Sequence, residues 1–304
     1  MACKGGSWIF SARNIRYNGY ILECELRTCN GSWIKNILRF NPNYEYSNNN
    51  GRFNYIENVI PNNTILTTQK NKIPNNVYQT FSSFNIPDEI KTIIEKNKKI
   101  CFDYNFIFYD DNDCELFIKN NFDENTYKAY MGINNVYGAM KSDFFRYCIL
   151  YKKGGVYLDI KSIIKYPLNN IIHKDDDCLL DILRYDYEPW RKNSPTYEQW
   201  ILIFAPEHPY LLEVINKMVY YINQKYEPTI ENIKKLTTKQ KILHITGPDM
   251  FSKCINNYLI NNKCLHRNID YTKFFQIRNS FDYEKMYIMN GKKHYDKYSE
   301  SLYI

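Results

Sequence analysis

The stretch Lys141-Ser-Asp-Phe-Phe-Arg-Tyr-Cys-Ile-Leu-Tyr-Lys-Lys-Gly-Gly-Val-Tyr-Leu-Asp-Ile-Lys161 decides how the rest of the chain is read. Its first half has a helical period that begins at Gly138 and runs to Tyr151, with Phe144, Phe145, Cys148 and Ile149 on the apolar side. Lys152, Lys153 and Gly154-Gly155 then end the helix, with cations at its negative pole and glycine free to turn left-handed. Val156–Ile160 follows as a strand. Alternation puts Tyr157, Asp159 and Lys161 on one side and Val156, Leu158 and Ile160 on the other. The apolar set packs under helices, and the polar set lines a cleft at the carboxyl end of the strand, where open α/β sheets bind ligands. Asp143 and Arg146 are three residues apart on the helix. They form either an ordinary helix ion pair or a shared ligand site, and the pattern alone leaves both readings open.

Working outward, strand and helix patterns alternate. Val77–Gln79 reads as a strand after Ile73-Pro74, Pro87–Lys99 as a helix, Phe102–Tyr109 as a strand and Cys114–Asn121 as a helix, with the acidic run Asp110–Asp113 between the last two. Further on, Trp200–Phe204 reads as a strand and Tyr210–Tyr221 as a helix behind Pro209. Ile242–Ile245 reads as a short strand before Thr246-Gly247-Pro248, and Asp249–Ile260 as a helix. That order predicts an α/β layer structure with a mostly parallel sheet over residues 73–304. The tail from Asn279 is polar and aromatic, without a clear period.

Residues 1–57 have another texture. Ser7–Ser11, Tyr20–Leu26, Trp33–Phe40 and Arg52–Ile56 read as short strands, punctuated by Asn18-Gly19, Asn30-Gly31 and Asn50-Gly51. The tract 47–51 reads as a loop. In the second strand Leu22, Cys24 and Leu26 share one face. A Pro- and Asn-bearing connection over about 58–72 separates this small all-β segment from the α/β region.

Of the 304 residues 44% are hydrophobic and 24% charged, which supports a normal core. A net charge of +7 suits anionic partners, but the lysines and arginines are scattered and no basic stripe interleaved with aromatics points to nucleic acid. The 29 tyrosines fit two readings, a compositional bias or surfaces for sugar rings. The nine cysteines show no CxxC spacing, so they read mostly as reduced thiols, with Cys24 and Cys29 the close pair to test as a disulfide. The N-terminus has no apolar signal-like stretch, and the longest apolar runs fall short of a bilayer span. The expectation is a protein without a membrane span, working in the cytoplasm or in a particle assembled there.

From about Ile73 to Leu168 the chain resembles the DXD-containing glycosyltransferases of family 32, the group of α-1,6-mannosyltransferases of yeast initiation type and α-1,4-galactosyltransferases. The family's opening reads like Ile-Pro-Lys-Ile-Ile-His-Gln-Thr-Trp, and here it is Ile73-Pro-Asn-Asn-Val-Tyr-Gln-Thr-Phe81. Its acidic stretch matches Tyr109-Asp110-Asp111, and its most specific run matches Lys141 to Asp159. Thr246-Gly247-Pro248 and His294 match more loosely. The resemblance implies a GT-A-type nucleotide-sugar-binding fold, a UDP- or GDP-linked sugar donor, a glycan or other hydroxyl acceptor, and retention of configuration. It places Asp143, Arg146 and Tyr157 against donor sugar and ribose, with Tyr78, Gln79 and Thr80 on the same ligand. Asp159 takes a catalytic place with Asp143 and Arg146, and Asp159 with His294 would hold Mn²⁺ or Mg²⁺. One departure stands out: the second carboxylate of Asp-x-Asp is Lys161, which meets phosphate as a point charge but cannot ligate a metal while protonated.

Residues 7–55 resemble one repeat of the cyanovirin-N homology domain, through Phe10-Ser11, Arg13-Asn14-Ile15, Gly19, Leu22, Cys24, Gly31-Ser32-Trp33 and Asn50-Gly51. The alternative function is therefore a non-catalytic carbohydrate-binding protein with a degenerate transferase cleft.

Overall fold

A computed structural model describes residues 12–17, 21–39, 44–49, 51–57, 71–183, 195–230, 235–277 and 297–304. The chain divides into two compact units, Met1–Gln69 and Lys70–Ile304.

In the first unit β1 (Ala12–Tyr17), β2 (Ile21–Arg27) and β3 (Trp33–Arg39) form an antiparallel sheet, and β4 (Tyr44–Asn49) pairs with β5 (Arg52–Glu57). The alternation read in β2 holds, with Leu22, Cys24 and Leu26 buried. Of the tract 47–51, expected as a loop, residues 47–49 instead end β4, and Asn49 pairs with Arg52 of β5. Gly51 has φ +84° and donates its N–H to the Asn48 side chain at 2.8 Å, a left-handed conformation that glycine supplies to tight hairpins. The expected strand 7–11 lies outside the described residues. Cys24 and Cys29 are not bridged. Cys24 is buried in β2 and Cys29 sits in the exposed turn beyond it; three extended residues alone cover about 10 Å, beyond disulfide reach.

The second unit runs β6 (Asn76–Thr80), α1 (Asp88–Ile100), β7 (Asn105–Tyr109), α2 (Asp111–Asn121), α3 (Glu124–Met131), α4 (Gly138–Lys153), β8 (Gly155–Leu158) and β9 (Ser162–Ile164). It continues with β10 (Cys178–Leu180), β11 (Ile201–Phe204), α5 (Pro209–Asn223), α6 (Thr238–Ile245), α7 (Pro248–Asn261), β12 (Arg267–Asn268), α8 (Tyr271–Phe274) and β13 (Phe275–Ile277). The main sheet has the order β12-β10-β11-β8-β6-β7, in which β11 alone opposes its neighbours. Strands β9 and β13 pair separately.

Period-two alternation builds two cores from this sheet. Tyr157, Leu202 and Phe204 face a layer containing Phe144, Phe145 and Phe251, whereas Val156, Leu158, Ile201 and Ile203 face Leu168, Tyr271 and Phe275. Strand β8 is buried along its whole length, as a central strand covered on both faces must be. The architecture is α/β and consistent with a GT-A-like fold.

Four local readings need correction. Ile242–Ile245 is helical, because Thr237 and Gln240 cap α6 reciprocally and Ile242 and Ile245 then share its buried side. Helix α2 begins at Asp111, where Asp110 and Asp113 make another capping box. The strand expected from Phe102 begins at Asn105, after a turn in which Tyr104 N donates to Cys101 O. The strand expected to reach Ile160 ends at Leu158, where the chain turns so that Ser162 N donates to Asp159 O at 2.8 Å. Among the described residues no helix is long and apolar enough to cross a membrane.

Candidate functional site

Two glycines bring the candidate residues together. Gly154 (φ +61°) and Gly155 (φ +104°) connect α4 to β8 in conformations that side chains rarely adopt. A Cβ on Gly154 would lie 2.6 Å from Pro206, and one on Gly155 would lie 2.7 Å from the Asn76 carbonyl oxygen. The chain therefore folds back sharply. Arg146 lies seven residues before the helix end, about 10 Å along the axis. Asp159 lies four residues into the extended chain, about 13 Å away. Folding back places the first half of α4 over the carboxyl end of β8.

What meets there is a charged relay. Arg146 Nη2 lies 3.2 Å from Asp143 Oδ1 and 3.1 Å from Asp159 Oδ1, while Nη1 donates to the Gln199 carbonyl at 2.8 Å. Thr246 Oγ1 donates to the other oxygen of Asp143 at 2.9 Å. The Thr246 carbonyl accepts from Tyr147 Oη at 3.1 Å and from Gln199 Nε2 at 3.2 Å, and that amide also bonds the Tyr147 hydroxyl. Asp143 and Arg146 are buried, whereas the Asp159 side chain keeps 25% of its surface in solvent. The relay thus has a closed end at Thr246 and an open end at Asp159.

Beside it lies a ring of three hydroxyls. Tyr157 Oη is 2.8 Å from both Thr80 Oγ1 and Ser142 Oγ, which are 3.0 Å apart. The Arg146 guanidinium stacks 4.6 Å from the centre of the Tyr157 ring, a cation–π contact. Burial raises the Tyr157 hydroxyl to about 12, so it stays protonated and able to donate. Burial also pushes Asp143 up to about 7, against the opposing pull of Arg146 and Thr246. Burial alone would lower the pKa of Arg146, but Asp159, Tyr157 and Asp143 outweigh it and the pKa rises above the ordinary value.

Asp143, Arg146, Tyr157, Asp159 and Thr80 thus come together as a group. Tyr157 does not line an open cleft as the alternation suggested; it is buried beneath α4, because that helix covers its face of the sheet. Tyr78 is buried in the same core. Gln79, one residue on, is 3% exposed, and its amide nitrogen has no hydrogen-bond partner among the described residues. His294 lies outside the described residues. Asp110 caps α2, and His208 caps α5 by accepting from Tyr210 N at 3.2 Å. Burial lowers His208 to about 4, so it is neutral at pH 7.

Reading the sequence missed Ser142, Tyr147, Gln199 and the part played by the Thr246 hydroxyl. Ser142 had a signal, since it precedes Asp143 in the specific run. Gln199 had none, because only the fold brings it to Arg146.

The described residues do not assemble a Mn²⁺ or Mg²⁺ site. Among the described residues no three His, Cys, Asp or Glu side chains are placed to hold an ion. Asp159 is engaged by Arg146, and an ammonium replaces the second carboxylate in the same turn.

Residues 87–177 match the family pattern described as "Glycosyltransferase sugar-binding region containing DXD motif". The chain is 27% identical over 180 residues to the initiation-specific alpha-1,6-mannosyltransferase of Candida albicans, covering 52% of this chain and 45% of that protein. It is 29% identical over 131 residues to the corresponding Schizosaccharomyces pombe enzyme, covering 40% of this chain and 32% of the relative. The chain therefore spans less than half the length of these two relatives. Among solved structures it is similar to the PaToxG glycosyltransferase, with a TM-score of 0.43, 15% identity and coverage of 62% of this chain and 70% of that one. The family match lies within the second unit and does not reach residues 7–55, whose expected likeness to a cyanovirin-N repeat finds no support in these comparisons. Residues 87–177, which include α4, β8 and Asp159, are therefore similar to the DXD-containing sugar-binding region of glycosyltransferases.

Proposed function

We propose that the protein transfers a sugar from a UDP- or GDP-linked donor to a hydroxyl of a glycan or other acceptor, with retention of configuration. The observation that carries this reading is Arg146, held between Asp143 and Asp159 at the carboxyl end of β8, inside the matched segment. In this reading Asp143 and Arg146 hold donor sugar and ribose, and Asp159, at the open end, meets the ribose–diphosphate portion. Tyr157, Ser142 and Thr80 lock the floor on which Arg146 rests. Gln79 brings a buried amide nitrogen, without a partner among the described residues, to the same ligand. In the transfer the bond from the sugar's anomeric carbon to phosphate oxygen breaks, and its electron pair leaves on the diphosphate. The acceptor oxygen bonds that carbon on the face the diphosphate leaves, and its proton passes to the departing phosphate oxygen. Fixed cationic groups beside the diphosphate lower the barrier by stabilising charge as it develops.

The test is a panel of nucleotide sugars assayed for hydrolysis and for transfer to simple glycosides, with the wild-type protein beside Asp159→Asn. The expected result is turnover of one donor class that the variant loses. Glycan binding with no turnover of any donor would replace this reading with the carbohydrate-binding one.

A further inference from the structure

The turn after β8 is where the chain departs from the Asp-x-Asp pattern of the matched region. The Ser162 N to Asp159 O bond of 2.8 Å closes a tight turn over Asp159, Ile160 and Lys161. Ile160 is buried against Ile90 and Ile94 and anchors the middle of the turn. Asp159 and Lys161 flank it, both partly open to solvent. A pair of carboxylates here would present two negative charges to a cation. Instead, Arg146 at 3.1 Å already balances Asp159, and Lys161 adds a positive charge two residues on. Compared with two carboxylates, such a turn offers a divalent cation fewer oxygen ligands and a diphosphate more positive charge. A lysine ammonium also offers three donors on a flexible stem, suited to phosphate as a point charge.

We propose that Lys161 replaces the divalent cation at this site, holding the donor's diphosphate directly, so that nucleotide binding and transfer need no metal. This rests on the nucleotide-sugar reading above.

The test is calorimetric titration of the full chain with UDP and with GDP, in EDTA and in MnCl₂. The expected result is one nucleotide binding with the same Kd, within about twofold, in both buffers. Lys161→Ala should weaken binding in EDTA at least tenfold, while Lys161→Arg, which keeps the charge, retains it. Lys161→Asp should make binding depend on Mn²⁺. Thermal melts of the three variants check that each is folded, and the arginine variant distinguishes lost charge from a disturbed turn. Wild-type binding only with Mn²⁺, or tight binding by Lys161→Ala in EDTA, would overturn the proposal and leave the transferase reading standing. Failure of both nucleotides in both buffers would overturn the two together.

Discussion

Two arginine–aspartate sites in the second unit use the same residue types in opposite ways. Arg267 on β12 is matched to one partner. Its Nε and Nη2 donate to the two oxygens of Asp176 at 2.9 and 2.7 Å, and Nη2 also bonds the Ile171 carbonyl at 2.7 Å. Arg146 is shared: one nitrogen faces two carboxylates at 3.1 and 3.2 Å, and neither pairing is a two-pronged fork. The electrostatic outcomes diverge. Burial of Asp176 is outweighed by Arg267 and the His173 N–H, so its pKa falls, whereas burial of Asp143 prevails and its pKa rises. A completed fork is structural cement. A shared cation whose second carboxylate keeps 25% of its surface in solvent is the arrangement expected of a ligand site, and it is the one the proposed function uses.

That contrast can be broken most decisively by activity. Asp159→Asn should cut donor turnover by a factor on the order of 10³, the scale of losing a charge-organising group, while Arg267→Ala leaves kcat within about twofold. Comparable losses in both would erase the distinction. Stability should separate them next. In urea titrations Arg146→Ala is expected to cost about 3–5 kcal/mol, because it strands buried carboxylate. Arg267→Ala should cost about 1.5–3 kcal/mol, the worth of hydrogen bonds to a charged group.

The pH dependence should have opposite signs. Between the ordinary aspartate value near 4 and the raised value of about 7, folded Asp143 holds a proton that the unfolded chain has released. Its contribution to stability therefore falls as pH rises across that window. Asp176, depressed in the fold, contributes above its ordinary value and loses that contribution as pH drops below about 4. Melting curves from pH 3 to 8 should lose the neutral-range slope in Asp143→Asn and the acid-range slope in Asp176→Asn. The smallest effect is expected from Thr246→Val, about 1 kcal/mol for one hydrogen bond. It should also move the Asp143 midpoint further up, read by carboxyl NMR titration; an unmoved midpoint would remove Thr246 from the relay.

How much of this was legible depended on the range of the signal. Helix α4 and strand β8 could be read because Phe144, Phe145, Cys148 and Ile149 repeat locally and two glycines mark the turn. Asp143 and Arg146 could be paired by spacing alone. Strands β10 and β12, of three and two residues, are too short to show a period. Ile242–Ile245 misled because four mostly apolar residues fit a strand as well as a helix, and the deciding cue was polar, in the Thr237 and Gln240 caps. Gln199 and Thr246 reach the site across sequence separations of 53 and 103 residues, so only the fold could place them.

The glycine elbow turns α4 into a lever. With its pivot at Gly154-Gly155 and Arg146 about 10 Å along the arm, a swing of 10° would carry the guanidinium roughly 2 Å, more than a hydrogen bond tolerates. Two missing methyl groups therefore calibrate an instrument whose tip lies about two helical turns away. A methyl restored at residue 154 would act as a misalignment, leaving α4 and β8 each intact while detuning the contact between them.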